Sequence, residues 1–245
     1  MNFIILPLIT LILCGVAFIV FIQDLKANPL EKAKKAKETK EADEDAKEES
    51  EETKESAPSE NKIFTKGMIT YSVIMTLITI AISIVFCICY ADNGILANIK
   101  RMALLSLMWP VAYIDFKSYR IPNRFILLGI VYRIIIFPFE LFVNPDVWSL
   151  LLSEIIAAGA LLLASLLCSL CMKNSIGFGD IKLFIVMGLL LSMDGIWGAM
   201  FLSLIISFLL ALFLLITKRK GRKDTIPFGP SIVLGTYLSV FLTGM

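Results

Sequence analysis

Two aspartates stand where the chain is otherwise apolar. Asp115 closes the run 104–114 in the stretch Tyr113-Ile114-Asp115-Phe116-Lys117-Ser118-Tyr119-Arg120-Ile121-Pro122-Asn123. Asp180 opens another run after glycines, in Gly177-Phe178-Gly179-Asp180-Ile181-Lys182-Leu183. An ionisable side chain at membrane depth is costly and is usually either paired or functional. Two carboxylates brought together can share one proton, giving a base that activates water and an acid that protonates the group under attack. That is the equipment of aspartyl hydrolysis. Gly177 and Gly179 would let the backbone bend sharply and approach a substrate closely. Structural readings stand beside this one: an Asp at a helix start is an ordinary cap, and Asp115 is also placed to pair with Lys117 or Arg120. The chain has no His, which removes His-based general-base catalysis, Ser-His-Asp triads and most zinc sites.

The elements that must position these carboxylates are membrane spans. Of 245 residues, 58% are hydrophobic and 18% charged, against about 25% charged in a soluble domain, and mean hydropathy is +0.82. Residues 24–66 hold 10 Lys and 13 acids, over half of all the charges, so the rest is more apolar still. Crossing the hydrocarbon core takes about 20 apolar residues. The runs 3–22, 68–90, 125–143, 148–172, 195–217 and 226–242 qualify. Two weaker runs are 95–114, interrupted by Lys100 and Arg101, and 181–193, which is short. The expected architecture is all-α, a polytopic transmembrane bundle of about eight helices. The first run lacks a basic start and a small-residue cleavage site, so it reads as an anchor and not a removable signal.

Basic residues set the expected orientation. Lys117, Arg120 and Arg124 lie in one loop, Lys173 in a second, and Lys218, Arg219, Lys220, Arg222 and Lys223 in a third, while 144–146 and 192–194 carry none. Alternation holds if these loops and the 24–66 insert face the cytoplasm, which puts both termini outside and both aspartates on the cytoplasmic side. Lys100 and Arg101 break the pattern and are expected to snorkel toward the outer face. The Lys/Glu-rich insert reads as a disordered tether or a fraying solvated helix. Arg133 is placed to pair with Glu140 or Glu154. The five Cys, including Cys168-Ser-Leu-Cys171, sit in apolar runs and read as packing residues, with no second pair to complete a metal site. No basic patch suits nucleic acid.

Three elements in order resemble a known family. Asp115 with Arg120-Ile121-Pro122-Asn123, then Gly177-Phe178-Gly179-Asp180-Ile181-Lys182-Leu183, then Ile226-Pro227-Phe228-Gly229-Pro230 with Gly235 beyond, resemble the type IV prepilin peptidases and archaeal preflagellin peptidases, membrane aspartyl proteases of the GxGD type. The resemblance covers about residues 98–245. It implies a six-helix protease core there, preceded by an anchor (1–23), the charged linker (24–66) and an additional transmembrane helix (67–97). It implies an endopeptidase of the cytoplasmic membrane that removes the short basic leader of prepilin-like substrates at the cytoplasmic face. Asp115 and Asp180 are then the catalytic pair, supported by Gly177, Gly179, Lys182, Pro122, Asn123, Pro227, Gly229 and Pro230, with no metal or other cofactor. Larger members carry two Cys-x-x-Cys pairs associated with N-methylation. The corresponding position here is Cys-free, so a peptidase-only member is expected. A proton- or cation-coupled transporter using the same aspartates, a non-catalytic scaffold for pilus assembly, and a presenilin-like GxGD protease are the competing readings; the Pro-Ala-Leu element of the last is absent.

Overall fold

The computed structural model describes residues 2–27, 66–90, 93–171, 177–217 and 227–244. These form seven helices: α1 (Asn2–Ala27), α2 (Lys66–Cys89), α3 (Ile95–Ser118), α4 (Asn123–Val143), α5 (Val147–Cys171), α6 (Phe178–Ile216) and α7 (Gly229–Thr243). The first six are long and apolar enough to cross a membrane, and α7 is a shorter apolar helix. The disorder expected for the charged insert concerns residues that, between 28 and 65, lie outside those described. In lipid a helix satisfies its own backbone, and side-chain hydroxyls must find partners too. They do so one turn back: Thr10 donates to Leu6 O, Ser72 to Met68 O and Thr236 to Ile232 O.

The two runs expected at 181–193 and 195–217 are joined in α6, whose helical geometry is broken once, at Ser192 (φ 60°, ψ −177°). Contacts along α7 give the direction of each half. Before the break Phe184 meets Phe228, at the start of α7. After it, Gly198 abuts Ser239, and Ser203 then donates to Ile232 O. The chain therefore climbs α7 in its first half and descends in its second. The two runs are thus two helical segments that meet at one non-helical residue, within what is by length and composition a single candidate span.

Helix α3 sits at the centre. Sixteen of its residues are buried, among them Asn98, Lys100, Ser106 and Asp115, and it is the least apolar of the six long helices. A helix surrounded by protein and not by lipid needs no continuous apolar surface, which is why this span looked weak. Trp109 lies wholly buried between Phe18, Phe21 and Tyr71. Hydroxyls stitch other helices to carbonyls across the bundle: Tyr237 to Leu105, Tyr71 to Trp109 and Tyr132 to Leu13. Small residues mark the closest approaches. A Cβ on Gly188 would lie 2.6 Å from Ala158 N, and one on Gly235 would run into the Ser203 backbone.

Lys100 does not snorkel. Its ammonium is buried, 2.6 Å from Glu154 and 2.8 Å from Glu140. Arg133 pairs with the same two acids, so both partners weighed for it are engaged. Ser192 Oγ stands 3.5 Å from Glu154, tying the break in α6 to the cluster. Arg101 takes another course, donating to Asn98 Oδ1 with its guanidinium over the Phe86 ring. Each cation lies beside two acids, which offsets part of the desolvation of four buried charges. Both Glu140 oxygens and Arg133 Nη1 make their ion pairs without hydrogen-bond geometry.

Candidate active site

The helix directions bring the sequence motifs to one end of the bundle. Helix α1 runs toward this end, where Asp24 meets Arg120, 2.7 Å apart. Helix α3 also ends there. Helix α5 lies antiparallel to the first half of α6, with Ser153 beside Met193 and Ala158 beside Gly188. Its last turn therefore lies at the Phe178 end. The second half of α6 descends to the same level. The described residues flanking the four segments 28–65, 119–122, 172–176 and 218–226 all lie at this end, as do Asp115 and Asp180.

Asp115 is buried one turn before the end of α3, and its Oδ2 accepts a hydrogen bond from the Gly229 N–H at 2.8 Å. That N–H belongs to the first residue of α7, where helix donors lack internal acceptors, so a carboxyl group is a fitting partner. A Cβ at Gly229 would lie 2.7 Å from Asp115 Oδ2 and 2.9 Å from its Cβ. Pro230 falls in the first turn of α7, where its fixed φ suits the helix and its missing N–H costs nothing. Pro227 is half-buried just ahead of it.

Asp180 lies in the first turn of α6, half-buried and within Coulombic reach of Asp115. The start of α7 bridges the two: Gly229 backs onto Asp115, while the Phe228 ring packs edge-on against Phe184, one turn beyond Asp180. The glycines serve a different end from the sharp bend expected of them. Gly177 is extended (φ −70°, ψ 141°), and the positive-φ glycines among the described residues are Gly94 and Gly244. Close packing is what they permit at these positions. A Cβ on Gly179 would sit 3.0 Å from Ile121 Cβ, and one on Gly177 3.2 Å from Asp180 Oδ2.

The link between α3 and α4 is therefore wedged against the start of α6. Tyr119 ends α3 in the left-handed region (φ 51°), a conformation that costs a non-glycine residue about 1–2 kcal/mol. Its N–H closes back on Asp115 O at 2.8 Å. Pro122, buried and extended, caps α4. The next residue, Asn123, accepts a hydrogen bond at 3.0 Å from the exposed Lys182 ammonium of α6. Every site residue expected from the sequence thus falls in this region, with Asp115, Gly229, Asp180 and the 119–123 link in one connected set of contacts. Asp24 was missed, having been counted with the polar insert; it is buried on α1 and holds Arg120 of the link. Among the described residues no cluster of acids and cysteines could hold a metal ion.

Fold and site define an integral membrane protein of packed helices with two acidic side chains, Asp115 and Asp180, at the same end of the bundle. Residues 102–216 match the type IV leader peptidase family. A curated relative, the prepilin leader peptidase/N-methyltransferase of Bacillus subtilis (strain 168), is 30% identical over 138 residues, covering 56% of this chain and 53% of the relative. The chain spans about half the length of that relative. No solved structure matches it significantly. Residues 102–216 are thus similar to the type IV leader peptidase family, in line with the resemblance carried by the Asp115 and Asp180 motifs.

Proposed function

We propose that the protein is an aspartic endopeptidase of the cytoplasmic membrane that removes the short basic leader of prepilin-like substrates at the cytoplasmic face. What supports this reading is that Asp115 and Asp180 lie at the same end of the bundle, within Coulombic reach of each other, in a segment similar to the type IV leader peptidases. One carboxylate takes a proton from a water whose oxygen attacks the scissile carbonyl carbon. The other, protonated, donates to the carbonyl oxygen. Collapse of the resulting diol breaks the C–N bond as the amide nitrogen takes up a proton. The Gly229 N–H holds the Asp115 carboxyl in place through this exchange.

Phe116 and Phe178 are exposed beside the two aspartates, at 61% and 81%. They give the apolar helix of a substrate a surface to lie on while its leader enters the site from the aqueous side. The cytoplasmic placement rests on the basic residues of the connecting segments at this end. With no Cys in the 24–66 insert, the proposed activity is peptidase alone.

The test is direct. The full chain in detergent or membranes, incubated with a single-span substrate carrying a basic leader ahead of its apolar helix, shortens that substrate by the leader. An intact substrate under conditions where the protein is folded overturns the proposal. A finer expectation concerns Gly229→Ala. The methyl meets both the Asp115 carboxyl and its Cβ, which is fixed to α3, so the carboxyl is displaced and the two helices must part slightly. Misplacement of a catalytic group by about 1 Å can cost about 10²-fold. Turnover should fall by about that factor in the folded protein, with the melting temperature lowered by the overpacking.

A further inference from the structure

Helix α1 lies outside the family-matched residues 102–216, yet it reaches into the site region through one side chain. Asp24 is 2% exposed and pairs with Arg120, Oδ2 to Nη2 at 2.7 Å. Arg120 follows the left-handed Tyr119 and precedes Ile121, which fills the space left by Gly179. Two residues further on, Asn123 receives the Lys182 ammonium. The link between α3 and α4 thus touches the first turn of α6 on both sides of Asp180, and its other anchor is Asp24 on α1. The neighbouring Leu25 is buried as well, so the last turn of α1 is a packed element and not the beginning of a tether.

We infer that Asp24 is a positioning residue: through Arg120 it fixes the 119–122 link against Gly179 and so sets the placement of Asp180 relative to Asp115. The inference rests on the proposed peptidase reading, in which that placement governs the chemical step. A substrate need not contact Asp24, so its removal acts on turnover and leaves substrate binding alone. The negative charge is what Arg120 requires, so glutamate substitutes for it and asparagine does not.

Two measurements on the full chain test this. In leader cleavage, Asp24→Asn lowers kcat by about 10-fold or more, with KM within about 2-fold of wild type, and Asp24→Glu recovers most of the loss. The second readout needs no activity. In a background with the native cysteines replaced, Ile121→Cys with Gly179→Cys places two thiols at near-disulfide separation, and their oxidation rate reports how the link is seated. Asp24→Asn slows that cross-link at least 5-fold. A kcat loss that merely follows the folded fraction overturns the inference, as does a rise in KM at constant kcat or a cross-link rate indifferent to residue 24. Should the wild-type chain cleave no leader at all, the peptidase reading fails, and the cross-link alone decides whether Asp24 seats the link.

Discussion

Asp115→Asn and Asp180→Asn should each reduce leader cleavage by at least about 10³-fold while leaving the protein folded. General acid–base transfer by one positioned group contributes about 10²–10⁴-fold, and each amide removes one half of the proton exchange. Asparagine is nearly isosteric with aspartate. At position 115 its carbonyl oxygen still accepts the Gly229 N–H, which donates to Asp115 Oδ2 at 2.8 Å, so the seat of α7 survives. The double variant should be no worse than the worse single one, because groups that act as a unit lose their whole effect at the first removal. Cleavage and thermal melting on the same preparations check this. Near wild-type turnover in either variant removes that aspartate from the chemistry, and losses that multiply in the double variant argue against a shared proton.

The second large effect lies at the opposite end of the bundle. Glu154 is wholly buried and receives hydrogen bonds from both Lys100 and Arg133, while Glu140 supplies the remaining ion pairs. Glu154→Ala leaves two buried cations facing one acid. Removing one partner from a buried pair costs about 3–5 kcal/mol, a large share of the 5–15 kcal/mol that holds a typical domain. The variant should melt far below wild type or fail to accumulate. Replacing all four charges together, by Lys100→Met, Arg133→Leu, Glu140→Leu and Glu154→Leu, should restore most of the stability, since no charge is then left unpaired. A single Glu154→Ala variant as stable as wild type would show that water reaches the cluster. The folded fraction of either variant should turn over substrate normally, because the cluster touches neither aspartate.

Much of this was legible in the sequence, for reasons that differ by element. Helices facing lipid announce themselves by hydropathy, as α1, α2, α4 and α5 do. Helix α3 faces protein on nearly all sides, so its polar residues have partners and its hydropathy understates it. The carboxylates were legible because acids are rare in apolar runs. Asp24 was not, because a charge next to a charged stretch carries no contrast. The signal that could have found it is positional. The buried residues of α1 include Leu6, Thr10, Cys14, Ala17, Phe21, Asp24 and Leu25, a stripe at helical spacing on which Asp24 falls three residues after Phe21. The sharp bend expected at Gly177 is not seen, its backbone being extended. The motif carries no sign of what the structure adds, that a Cβ at Gly177 or Gly179 would crowd Asp180 Oδ2 or Ile121.

The hydrogen bond from Gly229 to Asp115 spans 114 positions of the chain, and it bears on biosynthesis. A nascent polypeptide halted before residue 229 lacks the donor that orients Asp115. On the peptidase reading proposed above, competence to cut is therefore expected only once α7 has emerged from the ribosome and settled into the bilayer, with a half-made copy inert toward its surroundings.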